Sequence, residues 1–411
     1  MIYDFKVVPR GVRLTFGGYN DKLQKFAVYI TEKVSERMQD ILPTSQFEFE
    51  RYKDTISRGL AAFDVKQPYA HCSFYAQLAL QPTKFQYSND EIRAATNEAT
   101  LDELMSYVTT LWSSGNGIAL VQGNVDEAEA KMLVSKIDKA LGFRTISQDE
   151  LPPELEPLPL PPVPAKVTPT RLVISEPNPS NGNAAVEIVI QNLSTEPKEH
   201  ALMELVSTIL QEPFYEELRT KQQLGYIVSS GIRAVGKTRF LGFVVQSNVY
   251  TTDKLTAEAL KYLDNVRKTL FEKLSEGDLS VYIKSMIDRK TEPDKQLAQE
   301  IQRNWGEIGS GRLEFDRVQR ESAALLDVTR VDLLDFWDRI YVNDGRRVLI
   351  SEIIPQIGPA SSPPPPKSTG YVVGNVVSAE EGLVLGIDDL EKFRKIREAL
   401  IPTLSDPQLV A

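Results

Sequence analysis

The sequence predicts an α+β protein with two homologous domains, each a largely antiparallel sheet that packs helices on one face. Three observations predict this class. The chain has 411 residues, more than one hydrophobic core usually serves. A proline-rich stretch at 151–169 interrupts it. The segments on either side repeat one order of amphipathic helices and apolar strands.

Two proline-rich stretches set the predicted boundaries. "LPPELEPLPLPPVPAKVTP" at 151–169 and "PASSPPPPKS" at 359–368 do not suit a helix or a central strand, because proline lacks the backbone donor and blocks the helical turn. We expect a first domain at 1–150, a linker at 151–169, a second domain at 170–358, and a proline-rich segment with a C-terminal tail at 359–411.

The repeat consists of matching landmarks that occur in the same order. Helices open at "DKL" from position 21 and again from position 253, and at Thr100 and Thr329. Apolar strands follow at "IALV" from position 118 and at "VLIS" from position 348. Because these offsets stay between 229 and 232 residues, we interpret the two segments as copies of one domain.

The second copy begins with a segment that the first copy lacks. "TRLVISEPNPSNGNAAVEIVI" near residue 170 reads as two strands, and a helical pattern follows at 197–221. The equivalent positions in the first copy would fall before Met1. We therefore expect the first domain to lack its opening strands and helix, which would expose a sheet edge and apolar side chains. We favour truncation of a longer chain as the reason.

Composition narrows the possible partners. A net charge of −10 argues against nucleic acid or an anionic membrane as the main partner. Cys72 is the single cysteine, so no internal disulfide forms and a reducing compartment fits. No secretory signal pattern or membrane-spanning run is present. We expect a cytoplasmic location, with mitochondrial or other organellar targeting left open.

The two histidines do not predict a metal site. His71 and Cys72 are adjacent, so on a helix their side chains diverge. His200 and Glu204 have i, i+4 spacing and could supply two ligands, but zinc needs three or four. We predict no metal or cofactor site in this chain, and we expect both histidines to be ordinary surface or helix residues.

A phosphate-loop pattern also occurs, at Gly231–Thr238. "GIRAVGKT" matches G-x-x-x-x-G-K-[ST], but such a loop must lead into a helix whose amides hold the phosphates. Here "RFLGFVVQS" follows and is typical of a strand. We predict a hairpin turn at Gly236-Lys237 instead of a nucleotide site. No partner pattern suggests that Cys72 is a nucleophile.

Arg219 and Tyr226 are the candidate functional residues. They lie in "EPFYEELRTKQQLGYIVSSG", across a predicted helix-to-strand junction. A local explanation exists for each: an arginine late in a helix complements the dipole, Gly225 would supply a left-handed cap, and Tyr226 would start a strand.

The same string resembles the segment that marks the C-terminal half of insulysin-like members of the pitrilysin metallopeptidase family. Further strings resemble that family in its order, namely "GGYNDKL", "AAFDVKQPYAH", "VQGNV", "NWGEI" and "EFDR". The resemblance implies that the segments at 1–150 and 170–358 correspond to the third and fourth of four homologous domains.

What the resemblance implies about chemistry is specific. In this family two halves enclose a peptide; the N-terminal half carries zinc in an H-x-x-E-H motif, which is absent here. The C-terminal half supplies an arginine and a tyrosine that contact the substrate at the catalytic site, and these match Arg219 and Tyr226. The implied partners are peptide substrates and a zinc-bearing N-terminal half, either in the same longer chain or as a separate subunit.

Two hypotheses follow from the sequence. We expect the substrate-gripping half of a zinc metalloendopeptidase, which would not hydrolyse peptides alone. The alternative is a stand-alone non-catalytic subunit or peptide-binding protein that pairs with a separate zinc-bearing chain.

Overall fold

Strands and runs of consecutive helices make up the computed structural model, which describes residues 1–8, 11–39, 45–147, 150–151, 156–364 and 383–398. The strands are β1 Ile2–Val8, β2 Gly11–Gly17, β3 Ser114–Gly115, β4 Arg144–Thr145, β5 Thr170–Ser175, β6 Ala184–Asn192, β7 Ile227–Val235, β8 Thr238–Ser247, β9 Val348–Ile354 and β10 Val384–Leu385. The helices are α1 Asn20–Gln39, α2 Gln46–Asp64, α3 Pro68–Leu80, α4 Asn89–Glu98, α5 Leu101–Leu111, α6 Glu127–Leu141, α7 Pro197–Tyr215, α8 Thr252–Thr269, α9 Glu276–Lys290, α10 Leu297–Gly309, α11 Arg317–Leu326, α12 Arg330–Trp337 and α13 Ile387–Glu398. Within these ranges no helix is long and apolar enough to cross a membrane.

A six-stranded sheet organises the second half of the chain. Its strand order is β10-β5-β9-β6-β8-β7. The pairs from β9 through β7 are antiparallel, whereas β5 runs parallel to both β9 and β10. The predicted α+β class and the largely antiparallel sheet are confirmed.

Helices cover both faces of this sheet, where the sequence predicted one. On β6, Val186, Ile188 and Ile190 belong to the apolar cluster that contains α7, α8, α9 and α12. Ala185 and Val189 belong to the opposite cluster, with α3 and α13. Since successive strand residues point to opposite faces, β6, which is buried at every position, requires cover on both sides.

The repeat is visible in the helices. α1 and α8 begin 232 residues apart, at Asn20 and Thr252. α5 and α12 both follow a threonine capping box, at Thr100 and Thr329, in which side chain and backbone satisfy each other's free groups. The prediction of two homologous segments agrees with this order.

α3 and α10 occupy equivalent positions in the two sequence copies, but each belongs to the compact unit that is formed mainly by the other copy. α3 and α10 each have 13 residues and begin 229 positions apart. Contacts assign 64–86, which contains α3, to the second unit and 294–309, which contains α10, to the first. The division into continuous domains at 1–150 and 170–358 stays a prediction, because each compact unit is built from discontinuous segments of the chain.

The first unit contains little sheet. β1 and β2 form an antiparallel ribbon, and β3 and β4 a two-residue parallel pair. The predicted strand at 118–121 is wrong, because no strand among the described residues pairs with it. On β1, Ile2 is 72% and Val7 78% exposed.

Residues 156–169 of the proline-rich stretch belong to the second unit. Leu158 and Leu160 are fully buried. The Leu158 amide donates to the Leu80 carbonyl at 2.8 Å. Beyond the second proline-rich stretch, β10 and α13 also pack on the sheet, where Phe393 is buried. The segment 383–398 is therefore part of the second unit and not a free tail; 365–382 and 399–411 lie outside the described residues.

The phosphate-loop pattern is a hairpin, as predicted. Val235 lies opposite Thr238 in the β7–β8 pair, so Gly236 and Lys237 form a two-residue turn. Gly236 has a φ of 55°, a left-handed conformation that suits glycine. β8 follows at once, so no helix N-terminus is present there to hold a phosphate.

A buried ion cluster lies beside the larger core. The Glu321 carboxylate is fully buried and accepts from Arg239 and Arg317 at 3.1 Å and from Lys290 at 2.7 Å. Burial alone would raise the pKa of Glu321, but the nearby His200 ring and the charges of Arg239 and Lys290 outweigh it and hold that pKa well below its usual range.

We expect Glu321→Gln to lower the free energy of unfolding at neutral pH by about 3 kcal/mol, because buried cations would lose their counter-charge. The folded-state pKa lies below the unfolded value of about 4.3. The stabilisation is therefore complete above that value and is lost as the pH falls through the folded pKa. Urea unfolding at several pH values should show a smaller acid-side loss in the variant than in the wild type.

The matched control is Glu391→Gln, which removes an exposed carboxylate from its pair with Lys395. Surface pairs of this kind contribute little. Equal acid dependence in the wild type and Glu321→Gln would contradict the assigned role.

Candidate functional site

Arg219 and Tyr226 flank the end of a helix and the start of an edge strand. α7 continues directly into a π-helical segment, Glu216–Lys221, which carries Arg219. Tyr226 immediately precedes β7, the last strand of the six-stranded sheet. π-helical turns are rare and occur frequently at functional sites.

Two buried leucines anchor the connection. Leu218 is fully buried and Leu224 is 3% exposed. The Leu224 amide donates to the Leu218 carbonyl at 3.0 Å, and the Gln222 amide to the Glu217 carbonyl at the same distance. Leu218, directly before Arg219, and Leu224, two residues before Tyr226, therefore fix the turn on the core.

The two candidate side chains contact each other. The guanidinium carbon of Arg219 lies 5.2 Å from the centre of the Tyr226 ring, within the range of a cation–π interaction. Tyr226 is 82% exposed, so its hydroxyl faces solvent. The buried Nε of Arg219 has no hydrogen-bond partner among the described residues. The exposed phenol O–H of Tyr226 and the outer N–H groups of the Arg219 guanidinium, and not the buried Nε, are the donors for a molecule that binds there.

Gly225 is required for a reason other than the predicted left-handed cap. The left-handed residue of this turn is Gln223, with a φ of 53°. A Cβ at Gly225 would lie 1.8 Å from the main-chain carbonyl oxygen of Gln246. Glycine is needed because another backbone passes directly beside it.

Both histidines lie on helices, as the sequence allowed, but they are core residues and not surface residues. His71 is fully buried, and its Nδ1 lies 3.2 Å from a buried oxygen of Glu176. His200 is 2% exposed, and its Nε2 lies 3.1 Å from the Ser194 carbonyl oxygen. Buried polar groups need such partners, and one sequence gives no sign of where these partners lie.

These residues do not fit the zinc ion of the family that the sequence resembles. Glu204, the possible co-ligand of His200, is bound by Arg239 and by Lys290. In the described part of the chain no group of three or more His, Cys, Asp or Glu side chains is arranged to hold a metal. No step of a reaction is assigned to a metal here.

Cys72 does not fit a nucleophile either. Its thiol is fully buried and donates to the Ser351 carbonyl at 2.8 Å. Burial, with the charge of Glu187 next in importance, raises the pKa of the thiol well above its ordinary value. Since the thiolate is the reactive form, Cys72 has a packing role.

Comparisons with known proteins support the resemblance. Residues 1–94 match the family model described as the middle or third domain of peptidase M16, and residues 205–305 match PQQ synthase PqqF-like, C-terminal lobe domain 4. Human insulin-degrading enzyme is 28% identical over 345 residues, which cover 84% of this chain and 33% of that protein. The peroxisomal insulin-degrading enzyme-like 1 of Arabidopsis thaliana is 26% identical, over 84% of this chain and 35% of that protein. The chain spans about a third of the length of these relatives.

Solved structures show the same fold. Pitrilysin superposes with a TM-score of 0.77 at 19% identity, covering 96% of this chain and 38% of the other. The M16 peptidase inactive domain from Pseudomonas fluorescens gives a TM-score of 0.59 at 12% identity, over 88% and 82% of the two chains.

We expect Gly225→Ala to destabilise the second unit by about 2 kcal/mol, because the added methyl group must displace the Gln246 backbone. Gly277→Ala in α9 is the control, since its methyl group would meet only the Ser275 hydroxyl, at 3.6 Å. Urea unfolding measures both. A Gly225→Ala protein as stable as Gly277→Ala would contradict the close approach.

Proposed function

We propose that this chain, an insulysin-like member of the M16 peptidase family that resembles its C-terminal half, grips a peptide with Arg219 and Tyr226. The observation that carries the proposal is the exposed Tyr226 ring stacked against Arg219, on a turn that buried leucines hold in place. An arginine that only complemented a helix dipole would not need a tyrosine beside it at the edge of a sheet.

The chemistry of the two side chains suits a peptide undergoing cleavage. Attack on a peptide carbonyl places negative charge on its oxygen, which a phenol O–H can stabilise by donation. A guanidinium can pair with the same oxygen or hold a neighbouring carbonyl. Tyr226 and Arg219 would thus stabilise the oxyanion and orient the scissile peptide.

Cleavage also needs a nucleophile, and among the described residues no group of three or more His, Cys, Asp or Glu side chains is arranged to hold a zinc ion that would supply one. We infer that a zinc-bearing N-terminal half supplies it, within the same longer chain or as a separate subunit. This fits the share of the relatives' length that the chain spans.

The alternative function is that of a stand-alone non-catalytic subunit or peptide-binding protein. The fold similarity to an M16 domain described as inactive supports this alternative. Both functions use the same grip on a peptide, and they differ in whether hydrolysis appears when a zinc-bearing half is present.

We expect Arg219→Ala and Tyr226→Phe each to weaken binding of fluorescein-labelled insulin B chain by about fivefold to tenfold, the loss expected for one hydrogen-bond donor. Fluorescence polarisation measures the affinity in the assembly with a zinc-bearing N-terminal half, after chelation of the zinc so that the peptide is bound and not cleaved. The matched controls are Arg51→Ala and Tyr52→Phe, because Arg51 lies 5.4 Å from the exposed Tyr52 ring in the first unit. Equal losses in both pairs, or none in either, would contradict the assigned site.

We expect the isolated chain not to cleave an internally quenched peptide, and cleavage to appear when a zinc-bearing N-terminal half is added. In that assembly Tyr226→Phe should lower the rate by about a hundredfold, the loss typical of one oxyanion donor. Fluorescence dequenching measures the rate. Cleavage by the metal-free isolated chain would refute the leading function, and peptide binding without any rescue would favour the stand-alone alternative.

A further inference from the structure

α3 begins without a local side-chain cap, although Pro68 and His71 of its first turn are buried. Its N-cap residue, Gln67, makes no side-chain cap bond, and Pro68 follows. The next free amide, that of Tyr69, donates to Oε1 of Gln246 at 2.9 Å. Nε2 of Gln246 donates to Oε1 of Gln67 at 3.1 Å. A glutamine of β8 therefore caps a helix 177 residues earlier in the chain.

The main chain of the same glutamine forms one wall of the candidate site. Its carbonyl oxygen lies where a Cβ of Gly225 would be, and Gln246 is directly opposite Ile227 in the β7–β8 pair. Tyr226 lies between these two contacts in the sequence. A shift of Gln246 along or away from β8 must therefore move the backbone on both sides of Tyr226.

α3 is a rigid support for this side chain. His71 contacts the buried carboxylate of Glu176 at 3.2 Å. Cys72 and Ser351 exchange two bonds, with the thiol donating at 2.8 Å and the Ser351 hydroxyl donating at 2.9 Å to the Cys72 carbonyl. The helix that holds Gln246 is thus attached to the sheet at several points directly after its first turn.

We propose that Gln246 is a positioning residue for Tyr226, and that the Gln67-Pro68-Tyr69 motif of α3 holds Gln246 in place. The functional role of this positioning rests on the proposed function. The structural connection from α3 through Gln246 to Tyr226 does not depend on any ligand. It assigns a role to the "KQPYAH" string, which the Arg219–Tyr226 pair does not explain.

Gln191 provides a matched comparison. It is also a buried strand glutamine with two bonds to distant backbone: it accepts from the Leu160 amide at 2.7 Å and donates to the Leu158 carbonyl at 3.0 Å. It lies on β6 opposite Phe240, which is at the other end of β8 from Gln246. Replacing Gln191 therefore also removes two hydrogen bonds of a buried glutamine amide, but at a place that does not adjoin Tyr226.

The experiment measures hydrogen exchange of the backbone amides at 224–229 in four variants of the whole chain. We expect Gln246→Leu to speed exchange there about fivefold to tenfold, the effect of losing buried hydrogen bonds, with Gln191→Leu unchanged. Gln246→Glu keeps the acceptor for Tyr69 and should restore most of the protection. Gln67→Ala alters an exposed residue, so the variant chain should fold and still test the same link. We expect it to increase exchange at 224–229 less than Gln246→Leu does.

Faster exchange confined to 67–72 in both Gln246→Leu and Gln67→Ala would overturn the proposal, because Gln246 would then only cap α3. Equal effects of Gln246→Leu and Gln191→Leu at 224–229 would overturn it too.

Binding of the labelled insulin B chain supplies the second measurement. We expect about fivefold weaker affinity for Gln246→Leu and an unchanged affinity for Gln191→Leu. If Arg219→Ala and Tyr226→Phe leave affinity unchanged while exchange at 224–229 still responds to Gln246→Leu, the proposed function fails and the positioning link stands.

Discussion

Burial of the six-stranded sheet on both faces is the constraint from which the rest of the second unit follows. β6 is buried along its whole length and has apolar side chains on both faces. Such a strand loses stability unless each face is covered, because burial is worth roughly 25 cal/mol per Å² of apolar surface. The helices that directly follow the strands in sequence cover one face. The other face takes α3 from the first half of the chain and α13 from its end. The recruitment of α3 places its N-terminus beside β8.

Apolar burial alone does not fix the register of a helix on a sheet, because the hydrophobic effect has no direction. Polar contacts supply the register here. His71 with Glu176, and Cys72 with Ser351, are buried pairs that α3 can form in one position only. Each would cost free energy if its partner were absent. A shift of α3 by one residue would break both pairs, so the cap from Gln246 is formed in a single geometry.

The sequence predicted what depends on neighbours along the chain. The hairpin at Gly236 followed from turn chemistry, and the repeat followed from helical periodicity and from threonine caps. The second helical layer was missed because α3 is apolar around most of its surface, and such a pattern does not show which element covers it. Arg219 and Tyr226 are close in sequence and contact each other in the structure, but the reason for Gly225 lies in Gln246, which is distant in sequence. The strand at 118–121 failed for the same reason, since a strand requires a partner that its own residues do not specify.

The strength of the grip itself distinguishes the two candidate functions. One hydrogen bond contributes about 1 kcal/mol net, whereas even millimolar affinity requires about 4 kcal/mol beyond the cost of association. Arg219 and Tyr226 therefore cannot retain a peptide unaided. A stand-alone binder would need many further contacts along the peptide, while a half-molecule facing a second half needs few, because confinement raises the effective concentration of the peptide at the pair. Two donors on a rigid turn suit a half-molecule that faces a second half. Their binding energy is best used to stabilise the charge that develops during cleavage, and for that purpose rigidity matters more than affinity.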